Sequence, residues 1–244
     1  MSKYSEFIEK TLESEYTHLQ CFKNDDSIKI DLYKHTKIRK KLVLIRSKNR
    51  NDHIFRILRG INHPNLPTVF DVCACDDYLM VLESYVEGDS LSKLLQKGCV
   101  TKKQAVKYTI DVCEALKTLH EKQIIHRDIK PENIIISPDG KAILIDLQAA
   151  RLVTDTDHKD TINLGTVGYA APEQYGVHQS TPPTDIYAVG VLLNELIINC
   201  HPTVRIPSGK LGKIISKCTE TQIYNRYQTV DKLIADLKRY SFFH

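Results

Sequence analysis

The chain has no tryptophan, two methionines, and no glycine before Gly60. The first quarter of the sequence therefore lacks the one residue that lets backbone approach a ligand without a side chain in the way. No apolar run reaches membrane-spanning length. The longest, Ala188 to Ile198, is interrupted by Asn194 and Glu195. The opening residues, Met1-Ser2-Lys3-Tyr4-Ser5-Glu6, are polar and carry no signal-peptide core. Seven cysteines without paired spacing argue against a disulfide scaffold and for a reducing cytoplasm. Cys73-Ala74-Cys75 has no second pair downstream and reads as plain strand rather than a metal site. A net charge of +4 is too mild to mark a nucleic-acid binder.

Residues 5 to 16 have helical spacing, with Phe7, Ile8 and Leu12 expected on one face. Ile28 to Leu32 and Leu42 to Ile45 read as strands. A short helix is expected from Asp52 to Ile61, then strands from Thr68 to Cys75 and Tyr78 to Glu83, joined at Asp76-Asp77. Beyond Gly88 the periodicity becomes helical. Ser90 or Ser92 caps a short helix, and Thr101 with Gln104 forms a capping box for a long one. The inward stripe of that helix is Val106, Ile110, Cys113, Leu116 and His120. Asp185 to Ile198 is apolar on most sides, as a central helix requires, and Thr229 to Tyr240 is a last amphipathic helix.

The chemistry is concentrated in His126-Arg127-Asp128-Ile129-Lys130-Pro131-Glu132-Asn133. An apolar run follows it, and Asp146 lies thirteen residues after Asn133, closing a second run from Ala142 to Ile145. Two short strands around one turn bring Asp128, Asn133 and Asp146 to the same end. Phosphoryl transfer from a nucleotide needs a carboxylate to receive a hydroxyl proton, and an amide and a second carboxylate to hold magnesium.

These residues resemble the protein kinase family. Gly165 to Glu173 (GTVGYAAPE) is similar to the family's substrate-docking turn and Ala-Pro-Glu motif, and Asp185 to Gly190 to the start of its buried helix, with Tyr187 where Trp is usual. Arg226 stands where the family pairs an Arg with that Glu. The resemblance covers roughly residues 16 to 240. It implies an α+β, two-lobed protein-kinase-like fold. A small antiparallel β N-lobe spans about 16–83 and a larger, mostly helical C-lobe about 84–240. Residues 1–15 form an N-terminal helical extension. It also implies ATP and Mg2+ as cofactors, and a protein substrate or regulated partner protein, with neither nucleic acid nor a membrane span.

Residue by residue, the resemblance makes Asp128 the catalytic base and Lys130 its charge-offsetting partner. Lys130 and Thr166 match the serine/threonine branch. Asn133 and Asp146 become the magnesium ligands. His126 is expected in an internal stack, with Leu147 packed below it. Arg127 anchors a phosphorylated Thr154, Thr156 or Thr161, or alternatively pairs with Asp155, Asp157 or Asp160. Adenine is expected between Ile30, Leu44 and Ile135, with Leu82 behind it, bonded to backbone from Glu83 to Tyr85.

The first part of the chain departs from the family pattern. Aligning the Val of G-x-G-x-x-G-x-V with Ile30 puts Lys23, Asp25 and Ile28 at the glycine positions. The strand motif V-A-I-K reads Val43-Leu44-Ile45-Arg46, and the helix Glu falls on Ile54. Asp-Phe-Gly reads Asp146-Leu147-Gln148, which stiffens that hinge. The basic stretch from Lys37 to Arg50 reads as a solvated hairpin edge, with an acidic or lipid partner as its alternative. Three functions fit. One is a serine/threonine kinase with a glycine-free phosphate loop. A second is a pseudokinase that regulates a partner. The third, a small-molecule kinase, is disfavoured by the docking turn.

Overall fold

The computed structural model describes residues 3–49, 51–98, 100–153, 166–175 and 179–242. Two compact units divide it. One comprises the residues up to His63 with Pro67–Val86, and the other Pro64–Leu66 with the residues from Glu87 onward. The α+β division into an antiparallel lobe and a helical lobe agrees with the sequence pattern.

In the first unit, helix α1 (Lys3–Glu15) runs directly into strand β1 (Tyr16–Asn24). Strands β2 (Ile28–His35), β3 (Lys41–Ser47), β4 (Val69–Ala74) and β5 (Leu79–Ser84) complete an antiparallel sheet of order β1-β2-β3-β5-β4. Helix α1 buries Ile8 and Leu12, a one-turn repeat, against Leu42, Leu44, Cys73, Cys75 and Met80. Phe7, expected on that face, points away and is 64% exposed, because a residue adjacent to Ile8 lies about 100° round the helix. The N-terminal helix is thus part of the first unit's core. Helix α2 (Asp52–Leu58) stops three residues short of the expected Ile61. Arg59 turns extended and bridges Val69, and Gly60 takes φ +75°. At Asp76-Asp77 the hairpin closes through the Cys75 N–H donating to the Tyr78 carbonyl at 2.8 Å.

The second unit starts with β6 (Asp89–Ser90), α3 (Leu91–Gln96) and α4 (Lys102–Glu121). Ser90 caps α3, and Thr101 with Gln104 forms the expected capping box on α4. The buried face of α4 is wider than the predicted stripe and includes Tyr108, Thr109, Val112 and Leu119. Strands β7 (Ile124–Ile125), β8 (Ile134–Ile136), β9 (Ala142–Leu144) and β10 (Arg151–Leu152) form two small sheets, β6-β8-β9 and β10-β7. Helices α5 (Pro182–Ile198), α6 (Gly209–Cys218) and α7 (Val230–Phe242) close the unit. Helix α5 is buried on nearly every side from Pro183 to Asn194. Gly190 is required there, since a Cβ would lie 2.4 Å from the Cys218 Cβ of α6. Among the described residues no helix is long and apolar enough to cross a membrane.

Between the Ala-Pro-Glu turn and α7 lies a buried ion pair. Arg226 donates to both Glu173 oxygens, at 2.7 and 2.9 Å, and also to the carbonyls of Pro183, Glu220 and Thr221. Thr184 donates its hydroxyl to Glu173, and the guanidinium lies 4.9 Å from the Tyr187 ring centroid. The pair is fully hydrogen-bonded, the condition under which burying two charges is tolerated. Glu173→Ala leaves the Arg226 charge unmatched and costs about 3–5 kcal/mol, read as a lower urea midpoint. An unchanged midpoint would show the pair to be dispensable.

Candidate active site

The geometry of the loop from His126 to Asn133 begins with a buried carboxylate from another element. Asp185, fully buried in the first turn of α5, accepts the His126 N–H at 2.9 Å, the Arg127 N–H at 2.8 Å and His120 Nε2 at 2.8 Å. Burial pushes its pKa up, but the His120 hydrogen bond and the charges and N–H groups around it more than offset this, and the net shift is downward. These bonds hold Arg127 at φ +71°, a costly conformation for a side-chain-bearing residue. Gln174, which the sequence reading did not single out, adds a second tie. Its amide donates to the Arg127 carbonyl at 3.0 Å, and its oxygen accepts the Ala171 N–H at 2.9 Å.

The strained Arg127 presents Asp128 to a ring of donors. Thr166 donates its hydroxyl to Asp128 Oδ1 at 2.7 Å, and Lys130 Nζ lies 2.7 Å from Oδ2 and 2.8 Å from the Thr166 hydroxyl. Asn133 Nδ2 donates to Asp128 Oδ2 and to its main-chain carbonyl, both at 2.8 Å. Burial raises the Asp128 pKa, yet the bonds from Lys130, Thr166 and Asn133 outweigh it and the net shift is downward. Asp128 is therefore ionised at neutral pH. It can orient a hydroxyl and accept its proton only as transfer is nearly complete.

Both amide hydrogens of Asn133 serve Asp128, which leaves Asn133 Oδ1 as the electron-pair donor it can offer a cation. Asp146 follows β9 at φ +67°, with Oδ1 accepting the Gln148 N–H at 3.1 Å. The Ile145 N–H donates to the Asn133 carbonyl at 2.9 Å, which ties the backbones of the two together. An amide oxygen and a carboxylate are hard donors, and they fit magnesium. His126 is fully buried, with Nδ1 accepting the Asp128 N–H at 3.4 Å. Leu147 is buried as well. Ile135 is half-buried on β8, opposite Ser90 and Ile143. Thr154, Thr156 and Thr161, and the alternatives Asp155, Asp157 and Asp160, lie outside the described residues.

In the first unit the predicted adenine slot does not assemble as expected. Ile30 stands opposite Ile45, whereas Leu44 stands opposite Asp31 and Leu82. Side chains alternate across a strand, so Leu44 and Leu82 occupy the sheet face opposite to Ile30. Leu44 is fully buried under α1, with Leu82 packed beside it. Arg46 shares that face. It donates to Asp31 at 3.1 Å and lies 3.5 Å from Glu9 of α1. Asp31 is 1% exposed and also meets His18 at 3.0 Å and Lys29 at 3.5 Å. Burial raises its pKa, and these partners bring it below the usual value. On the Ile30 face the chain presents Ile45, Ser47 and Glu83 instead. Arg46 and Ser47 therefore lie on opposite faces of β3, Arg46 with Leu44 and Ser47 with Ile45. The Ser84 N–H is taken by the Thr68 carbonyl at 2.9 Å. Tyr85 stacks against Phe22, a contact the sequence reading missed.

Asp185 has a depressed folded-state pKa, so its contribution is present at neutral pH and is lost as pH falls below the ordinary carboxylate value of about 4. Asp185→Asn lowers stability by about 3 kcal/mol at pH 7 and flattens the acid limb. Urea midpoints across pH 3 to 7 check both effects. In the first unit, Arg46→Met costs about 1–3 kcal/mol and speeds amide hydrogen exchange around Ile8 and Leu12. Unaltered exchange there would show that Arg46 does not anchor α1.

Comparison with known proteins gives the same picture. The family described as protein kinase domain matches residues 23–239. The chain is similar to the serine/threonine-protein kinase PrkC of Bacillus subtilis, 30% identical with 78% of this chain and 34% of that protein covered. It is also similar to the serine/threonine-protein kinase PknB of Mycobacterium tuberculosis, 30% identical with 74% of this chain and 34% of that protein covered. PknD of Protochlamydia amoebophila is 25% identical, with 90% of this chain and 28% of that protein covered. The chain spans about a third of the length of these relatives. With its matched catalytic loop, docking turn and buried Glu173–Arg226 pair, the chain belongs to the protein kinase family, in its serine/threonine branch.

Proposed function

We propose that the chain is an active serine/threonine protein kinase that transfers the terminal phosphate of ATP to protein hydroxyls. The observation that carries this reading is the convergence of Lys130, Thr166 and Asn133 on the Asp128 carboxylate. A chain without catalysis has no physical need for an ionised acceptor met by a cation and an amide of its own loop and by the Thr166 hydroxyl of the docking turn. Asp128 orients the acceptor hydroxyl. Lys130 offsets negative charge on the transferring group. Asn133 and Asp146 are the residues that would hold magnesium, which neutralises phosphate charge when bound. On the sheet, Ile30 and Ile45 are the apolar pair that faces adenine, in place of Ile30 and Leu44.

The second reading, a pseudokinase that regulates a partner protein, is favoured by the first unit. There the strand cation is committed to Asp31 and Glu9, and the β1–β2 turn has no glycine. The two readings differ in turnover. Radiolabel transfer from ATP with magnesium or manganese, wild type against Asp128→Asn, is expected to fall by about 10²–10⁴-fold in the variant. No label above the variant, on any substrate including the chain itself, would leave only the regulatory reading. A thermal-shift rise with ATP and magnesium that vanishes in Asp146→Ala marks that carboxylate as a cation ligand.

A further inference from the structure

We infer that the β2–β3 hairpin tip is a contact site for an anionic lipid surface. Ile38 enters the headgroup region, and Lys37, Arg39 and Lys40 meet the phosphates around it. This role is separate from the proposed activity and holds whether or not the chain transfers phosphate.

The basic stretch from Lys37 to Arg50 is not one surface. Arg46 is committed to Asp31 and Glu9, and Lys41 Nζ lies 5.0 Å from the Tyr85 ring centroid. Lys37, Arg39 and Lys40 are exposed at the tip, and no ion pair among the described residues takes them. Nor do they guard a sheet edge, which is the usual use of lysine on a hairpin. The edges of this sheet are β1 and β4, whereas β2 and β3 are interior strands. Lys34 stands directly opposite Lys41 at the base of the tip, and like charges so placed weaken a strand pair. Local features that work against the fold gather at functional sites.

The tip is also held in shape. The His35 N–H donates to the Lys40 carbonyl at 2.8 Å and the Arg39 N–H to the His35 carbonyl at 3.1 Å, which closes the turn. His35 Nδ1 accepts the N–H groups of Lys37 at 3.1 Å and Ile38 at 3.4 Å. The N–H and hydroxyl of Thr36 both donate to the Glu15 carbonyl, at 2.8 and 2.9 Å, and tie the turn to α1. Arg39 sits at φ +62°, a conformation that persists only where the surroundings impose it. Within this turn Ile38 is 62% exposed. An apolar side chain between cations on a convex turn fits an anionic bilayer, whose interface takes the apolar group while its phosphates take the charges. An acidic protein would need a groove or a broad face on this chain to cover Ile38, and a tight turn offers neither.

The test uses the full chain with vesicles of phosphatidylcholine alone, or of phosphatidylcholine and phosphatidylglycerol in a two-to-one ratio. The chain has no tryptophan, so Ile38→Trp supplies a lone fluorophore at the tip. Its emission is expected to move to shorter wavelength with the anionic vesicles alone. Unmoved emission, or an equal move with the neutral vesicles, overturns the inference. In co-sedimentation with the anionic vesicles, Lys37→Ala and Arg39→Ala each weaken binding by roughly fivefold, and Ile38→Ser by about tenfold. Lys48, exposed just beyond the other end of β3, serves as the control, and Lys48→Ala leaves binding unchanged. Melting midpoints at the wild-type value exclude unfolding as the cause of any loss. An equal loss in Lys48→Ala makes the binding a matter of net charge and overturns the tip. Wild-type binding to polyglutamate as tight as to the vesicles, and unaffected by Ile38→Ser, gives the surface to an acidic protein and overturns the lipid assignment.

Discussion

The buried carboxylate of Asp185 is the interaction on which the catalytic geometry depends. It satisfies two consecutive backbone amides and one imidazole at once, in a place where an unpaired N–H would cost as much as a lost hydrogen bond. That is what keeps Arg127 at φ +71° and Asp128 aimed at its donors. The strain is local and the support is not: Asp185 comes from α5, Gln174 from the Ala-Pro-Glu turn and Thr166 from the docking turn. The catalytic loop is therefore only as precise as the packing of α5, which rests in turn on Gly190 against α6 and on the Glu173–Arg226 pair.

The first unit is held by different physics. Its sheet would be bare on one face, and α1 covers that face with Ile8 and Leu12. A cation at the centre of the covered face, Arg46, ties the helix to a nearly inaccessible Asp31. A positive charge in this strand thus acts as an internal anchor. Its place on the α1 side follows from strand parity, because a residue one step along points to the other side.

Much of the second unit was legible in the sequence because its signals are local. The Thr101–Gln104 capping box, the helical rhythm of α4 and the apolar α5 each follow from neighbouring residues. The loop from His126 to Asn133 was legible too, since its residues stand within eight positions and carry the resemblance to the family, although its geometry is held from outside by Asp185. Gln174 was not, as its partners lie 47 residues away at Arg127 and at Ala171 in the adjacent turn. The end of α2 was misplaced because the Arg59–Val69 bridge, a tertiary contact, took over the chain before Ile61.

The sequence by itself determined which residues stand around Asp128 in the loop, Lys130 and Asn133, and in which order. It could not determine on which side of the sheet a side chain falls, because the alternation fixes only relative parity. Absolute parity needs the helix that covers one face. Only the tertiary structure decided that Leu44 and Arg46 lie beneath α1 while Ile30 and Ile45 share the opposite face. It also decided that Phe22, displaced by a bulge, meets Tyr85. A one-residue shift in register costs nothing that a linear pattern can display, yet it exchanges every side chain between the two faces.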